Sequence, residues 1–342
     1  MRVIEEKIKI NKFESNIFNT YFKDMSLCVF DIESMGLGPR TSEMILTCFL
    51  EVKDDGYGYL KQFFLDSMEE EPLLLMKTIN ELNKYDVILT YNGISFDIPF
   101  VRERAKRLGI RDIGVYDTTI HPFNLDLFPT VNRYSNLNKI LKSLSQKSLE
   151  NYLQIDSSRK DEISGKESID LFKQYLTTKD FDYRDKLGNK ILLHNHDDVI
   201  QLYKLLDIIK QVDFHKSRFK MGYPIKGING WNNLHVLKMD IKSQTLIISG
   251  IHHEKNFKYI SFDISTNFSS DGTFIIEIPL NKLNNAQFVN LRDFFDSTGN
   301  FEPLKGFVNG YLILKDKDEI NYKEINLFTK EILINIIKKI RR

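Results

Sequence analysis

The hydrophobic positions of this chain keep two different rhythms. Between Leu27 and Leu65 they form short apolar runs, at 27–33, MILTCFLEV (44–52) and YLKQFFL (59–65), separated by Gly36-Leu-Gly-Pro39 and Asp54-Asp-Gly56. Runs of that length between turn residues predict three strands. EEEPLLLMKTINELNKY (69–85) has helical spacing, with acids in its first turn where the helix dipole favours them. DVILTY (86–91) reads as a strand ended by Asn92-Gly93, FDIPFVRERAKRLG (96–109) as a helix stopped by Gly109, and GVYDT (114–118) as a short strand. From Ser135 to Leu206 the spacing is mostly helical, most clearly in SGKESIDLFKQYL (164–176) and KILLHNHDDVIQLYKLLDIIKQV (190–212). A strand meander followed by βαβ units predicts an α/β fold with a mixed sheet flanked by helices.

Around GYPIKGINGW (222–231) the long helical patterns stop. Beyond them lie short strand-like runs at 234–241, 245–251, 259–265, 273–280 and 310–316, then a helical pattern over 322–342 with a basic end, KKIRR. The expected organisation is an N-terminal arm or helix over 1–24, a first domain over 25–215 and a linker over 216–231. A smaller β-rich accessory domain with a terminal helix follows over 232–342.

Composition narrows the class. The chain has 342 residues, 42% hydrophobic and 28% charged, with a formal net charge of +1. That is ordinary globular composition, and a near-neutral chain is not a wholly basic coat for nucleic acid. Cys28 and Cys48 lie in apolar runs and read as buried free thiols. No apolar run reaches the ~20 residues that span a bilayer, and the N-terminus lacks a signal-peptide core, so a cytoplasmic protein with no membrane association is expected. His121 and the His252-His253 pair are expected at the surface or in turns.

The first strand poses a problem. Asp31 and Glu33 sit two apart at the end of an apolar run, so they point to one face together with Val29. Buried carboxylates are costly unless paired or bound to a metal, and like charges side by side add to the cost. Asp97 follows the turn at the end of another strand, amid Phe96 and Ile98-Pro99-Phe100. In open α/β sheets the carboxyl ends of strands are where ligands bind. In the last long helix, Val199, Leu202, Leu205, Leu206 and Ile209 form an apolar stripe. Asp198 lies four residues before Leu202 and His194 four before that, so both prolong the stripe, while His196 and Asp197 rotate toward solvent. Such acids need cations, and oxygen ligands suit Mg2+ or Mn2+. Two ions ~4 Å apart clamp a phosphodiester, and a neighbouring histidine accepts the proton of water.

FDIESMG, NGISFDIPF and HNHDD, in this order, resemble the DEDD (DnaQ-like) 3′–5′ exonuclease superfamily with its ribonuclease-H-like fold, and most nearly the YprB-type ribonuclease-H-like proteins. The likeness spans roughly residues 25–212 and also touches Tyr116-Asp117-Thr118, Tyr134 to Asn138 and 163–168. It implies Asp31, Glu33, Asp97 and Asp198 as ligands of two divalent cations, Mg2+ or Mn2+, and His194 as general base. It implies hydrolysis of terminal phosphodiester bonds to nucleoside 5′-monophosphates, nucleic acid with a single-stranded 3′ end as partner, and substrate contacts at Gly36, Leu37, Asn92 and Phe96. One departure stands after the glutamate, where the family has Thr-Thr-Gly and this chain Ser34-Met35-Gly36; it bears on substrate contacts and not on the metals. Two alternatives remain at this level: a catalytically inactive nucleic-acid-binding module of the same fold, and an endonuclease of the ribonuclease H type.

Overall fold

The computed structural model describes residues 1–110, 120–161, 163–228, 230–254, 257–261 and 264–340. The chain divides into two compact units: Met1–Asn19 with Met25–Val212, and Thr20–Asp24 with Asp213–Arg342.

In the first unit, β1 (Arg2–Lys9) and the start of α1 (Asn16–Phe22) precede the meander of β2 (Leu27–Ser34), β3 (Met44–Val52) and β4 (Tyr57–Phe64). Then follow α2 (Glu71–Leu82), β5 (Val87–Thr90), α3 (Asp97–Arg107), β6 (Phe123–Asp126), α4 (Leu127–Tyr134), α5 (Gln146–Leu153), α6 (Gly165–Thr177) and α7 (Phe181–Lys204). The sheet order is β1-β4-β3-β2-β5-β6. The meander is antiparallel, whereas β5 runs parallel to β2 and β6 parallel to β5. This is the mixed sheet of a ribonuclease-H-like fold. Phe30, Phe49, Phe64, Ile79, Val101, Phe172 and Ile191 share one core. Cys28 and Cys48 are buried free thiols, as expected.

Two differences concern elements with weak patterns. Residues 1–24, expected as an arm or helix, begin with β1, an edge strand in full register with β4 from Arg2↔Phe64 to Lys9↔Tyr57. Its outward charges, Glu5, Glu6 and Lys7, hide the strand alternation, which is how edge strands resist further pairing. The sixth strand is β6, a four-residue run, FNLD, too short and polar for a period to show. The strand expected at 114–118 lies outside the described residues.

The second unit comprises α8 (Phe214–Met221), β7 (Tyr223–Ile225), β8 (Leu234–Lys242), β9 (Thr245–Ile251), β10 (Tyr259–Ser261), β11 (Ser265–Phe268), β12 (Thr273–Pro279), β13 (Asn281–Leu283), β14 (Ala286–Asn290), β15 (Phe307–Val308), β16 (Tyr311–Asp316), β17 (Glu319–Ile320) and α9 (Tyr322–Ile340). One sheet has the order β10-β11-β12-β9-β8-β7 and another β13-β14-β16-β15, with β17 on β16; every pair is antiparallel. Residues 216–231, expected as a linker, carry most of α8 and all of β7. The segment 20–24 is part of this unit: the Tyr21 hydroxyl lies 2.6 Å from His215 Nδ1 and accepts from Asn326 Nδ2 at 2.7 Å. His252, expected at the surface or in a turn, lies just past β9 and is buried, its Nε2 2.9 Å from the Ser269 carbonyl.

Candidate active site

The first unit is arranged so that β2 has partners on both edges only at its start. β2 and β5 are in register over Leu27↔Val87 to Val29↔Leu89, and β5 ends at Thr90. The carboxyl half of β2, with Asp31 and Glu33, therefore opens onto the end of β5, the crevice position of an open α/β sheet.

The turn after β5 is built by two residues. Asn92 has φ +66, a left-handed conformation that asparagine tolerates. A Cβ on Gly93 would come within 2.4 Å of the Thr90 hydroxyl, so only glycine fits. Buried Asp126 holds this turn by accepting from the backbone nitrogens of Asn92 (2.7 Å) and Ile94 (2.9 Å). The chain then enters α3, and Asp97 is its first residue. The Asp97 side chain is buried and accepts from the Ile32 backbone amide, which sets it against β2 between Asp31 and Glu33.

From the other side comes α7. Gln62 of β4 donates to the Leu192 carbonyl (2.9 Å) and to Asn195 Oδ1 (3.2 Å), and Asn195 Nδ2 donates to Asp31 Oδ2 at 2.7 Å. That docking brings His194 and Asp198 to the same crevice. His194 Nε2 lies 3.8 Å from Glu33 Oε1 and 3.6 Å from Asp198 Oδ2. One ligand atom from each of Glu33, His194 and Asp198 lies within 4.8 Å of the others.

The electrostatics follow from enclosure. Burial, then the charges of Asp97, Asp198 and Glu33, push the Asp31 carboxyl well above its ordinary range. Burial, then Asp198 and Asp97, push Glu33 up to about 8. Asp97 is pushed up to about 7, first by burial and then by Asp126. Asp198 is raised by burial, against the lowering pull of His194 and Arg159. Converging carboxylates that resist ionisation are what a divalent cation relieves, and an oxygen-rich set with one imidazole fits Mg2+ or Mn2+. The residues thus suit the cations that the sequence implies.

Glu33, His194 and Asp198 come together by ligand-atom distance, and Asp31 and Asp97 border them closely enough for their charges to act on the same carboxyls; the five come from three separate sequence segments. The expected substrate contacts behave differently. Leu37 is 86% exposed, beside Gly36, whose carbonyl accepts from Ser34 Oγ at 2.8 Å. Phe96 packs on Phe100 at 5.5 Å and, like Met35, lies against the hydrophobic core. Met35 thus replaces a hydroxyl with packing. Asn92 forms the turn itself.

One expectation is overturned. Asp197 does not face solvent: it is 3% exposed, and its Oδ2 accepts from the backbone nitrogens of Lys160 and Asp161. The apolar stripe located one covered face of α7, but residues 146–161 cover another. Arg104 of α3 pairs with buried Glu71 through Nε–Oε1 at 2.7 Å and a second contact. Asn195, Asp126 and Gln62 had no signal in the sequence beyond being polar residues in apolar neighbourhoods.

A family model described as RNase_H superfamily matches residues 28–210. The match spans just over half the chain and covers every residue of the crevice, and the chain belongs to the RNase H superfamily. The DNA polymerase of Methanocaldococcus jannaschii is 46% identical over 46 residues, 14% of this chain and 3% of that protein. Similar solved structures include the family B DNA polymerase from the hyperthermophilic archaeon Pyrobaculum calidifontis, with TM-score 0.39 and 14% identity over 73% of this chain and 39% of that one. Another is exonuclease I, with TM-score 0.35 and 11% identity over 67% of this chain and 56% of that one. The chain thus spans well under two thirds of the length of each of these proteins. Among the described residues no helix is long and apolar enough to cross a membrane.

Proposed function

We propose that this chain is a two-metal-ion 3′–5′ exonuclease that hydrolyses terminal phosphodiester bonds of nucleic acid and releases nucleoside 5′-monophosphates. The observation that carries the reading is the grouping of Glu33, His194 and Asp198 within metal-ligand distance, with Asp31 and Asp97 acting on it by charge at the carboxyl ends of β2 and β5, in a superfamily whose fold is typical of nucleases. The exonuclease direction is supported by the likeness of the three motifs to DEDD enzymes.

Asp31, Glu33, Asp97 and Asp198 would hold the two cations, Mg2+ or Mn2+. When bound, such ions polarise the phosphoryl group and neutralise charge on the attacking and leaving oxygens. His194 supplies the base: its Nε2 faces Glu33 and Asp198, where it takes a proton from the attacking water. Asn195 fixes one oxygen of Asp31 and leaves the other for the crevice. Leu37, exposed just beyond β2, would lie against a base of the entering strand, with Gly36 allowing backbone approach. Asn92 and Phe96 shape the wall rather than reach outward.

The test is digestion of end-labelled single-stranded DNA and RNA in Mg2+ and in Mn2+, with Asp31→Ala as control. Metal-dependent release of mononucleotides from the 3′ end by the wild type only is expected. No digestion by the wild type in either metal, or equal digestion by the variant, overturns the reading. Internal cleavage of circular substrates would make the protein an endonuclease instead.

A further inference from the structure

We propose that Asp161 is a positioning residue for His194: gripped by Arg159, it holds the imidazole in the tautomer that keeps the proton on Nδ1 and leaves Nε2 bare toward Glu33 and Asp198. This rests on the reading of the crevice as a nuclease site and adds to it a residue outside the three motifs.

His194 Nδ1 lies 2.6 Å from Asp161 Oδ2, and the Asp161 side chain is 1% exposed. The other oxygen, Oδ1, accepts from Arg159 Nη1 at 3.0 Å, and Lys147 Nζ stands 3.8 Å from Oδ2. With cations at both oxygens the carboxylate acts as an acceptor, so the bond to the ring is donated by Nδ1–H. A neutral imidazole has one N–H, and placing it on Nδ1 makes Nε2 the acceptor. Nε2 is the nitrogen that faces the carboxylates of the crevice.

The arm that carries Asp161 is itself anchored. Arg159 forms a fork with fully buried Glu150, Nε to Oε2 at 2.6 Å and Nη2 to Oε1 at 2.8 Å. Its Nη2 also donates to Asp198 Oδ1 at 2.6 Å. Gln146 Nε2 ties Glu150 Oε1 (3.0 Å) to the Asp198 carbonyl (2.9 Å). Asp197 takes the backbone amides of residues 160 and 161. So α7 presents His194 and Asp198 to the crevice, while Asp197 grips the segment that orients His194. Arg159 in turn orients Asp198, leaving its Oδ2 toward His194.

Asparagine at position 161 discriminates. It has the same shape but one acceptor and one donor. Arg159 offers only donors, so the asparagine oxygen must turn to Arg159 and its amide to the ring. That forces Nδ1 to accept and moves the ring proton to Nε2, the wrong tautomer for a base; an equivalent change in a serine-protease triad costs about 10⁴ in kcat.

Long-range proton–nitrogen NMR on the full-length, metal-free, 15N-labelled protein, at a pH where the ring is neutral, reads the tautomer directly; the His194 signals are those lost in His194→Gln. Protonated Nδ1 is expected in the wild type and protonated Nε2 in Asp161→Asn. In Mn2+-dependent digestion of single-stranded DNA, Asp161→Asn is expected to lower kcat on the order of 10²–10⁴-fold with KM unchanged. Protonated Nε2 in the wild type, an unchanged tautomer in the variant, or an unchanged kcat overturns the proposal. An inactive wild type refutes the nuclease reading, and the spectra still decide the positioning. If Asp161→Asn does not fold, the wild-type spectrum alone decides.

Discussion

β2 and β12 are two strands of similar length that carry acids, and they treat them in opposite ways. β12, TFIIEIP, alternates without fault: Phe274, Ile276 and Ile278 are buried, and Thr273, Ile275, Glu277 and Pro279 are exposed. Its sheet has one wet face, and Glu277 stands on it. β2, LCVFDIES, lies inside a sheet with helices against it, and no face of it is freely solvated. Asp31 and Glu33 share a face with buried Val29, and burial with neighbouring charge drives both carboxyls upward. The same residue type is inert on one strand and strained on the other. The difference is set by what covers the strand, and upshifted carboxylates grouped in a crevice mark a candidate functional site.

The widest gap between the two strands should appear in activity. Asp31→Ala is expected to lower metal-dependent nuclease turnover by about 10³-fold or more, since each factor of ten is about 1.4 kcal/mol and cations supply several. Glu277→Ala should leave turnover at the wild-type value in the same assay. Chelation with EDTA should mimic Asp31→Ala, and added Mn2+ should restore the wild type but not the variant.

Arg104 and Glu71 test a second contrast within the first unit, a buried charge that has its partner. Their side chains are 9% and 3% exposed. Arg104→Ala leaves Glu71 buried alone and should destabilise that unit by about 3–5 kcal/mol in urea unfolding. In β12 the contrast is between neighbours. Ile276→Ala should cost about 2–5 kcal/mol, whereas Ile275→Ala, at 48% exposed, should stay within about 0.5 kcal/mol.

A further effect is on pH dependence. Glu33 is raised to about 8 in the folded chain, so between its ordinary value and 8 the folded state binds more protons than the unfolded state. Stability from this group is therefore full at low pH and is lost as pH rises toward 8. Melting of the metal-free protein should fall as the pH rises from about 5 to 8, less steeply in Glu33→Gln, and Mn2+ should recover most at pH 8.

Much of the first unit was legible because its periods are strong. The β2–β3–β4 meander and the Asn92-Gly93 stop follow from local pattern, and so does α7, although it runs Phe181–Lys204 rather than over 190–212. β1 and β6 escaped because their residues are mostly polar and the sheet, not the segment, supplies their order. Asp197 was misplaced for a related reason: a helical wheel records one apolar stripe, but α7 is also covered by polar chain, and polar covering leaves no periodic trace. Asp161 lies in a loop whose composition looks solvated, yet its side chain is only 1% exposed.

By itself the sequence determined the strand and helix rhythm and singled out the four acids and one histidine, because these are local and follow from spacing. Only the tertiary structure decided that Asn195 holds Asp31, that Asp197 faces inward, and that Arg159 and Asp161 stand behind His194. Hydrogen bonds between residues 33 to 164 positions apart depend on how the sheet and α7 close on one another, and no period along the chain encodes that distance.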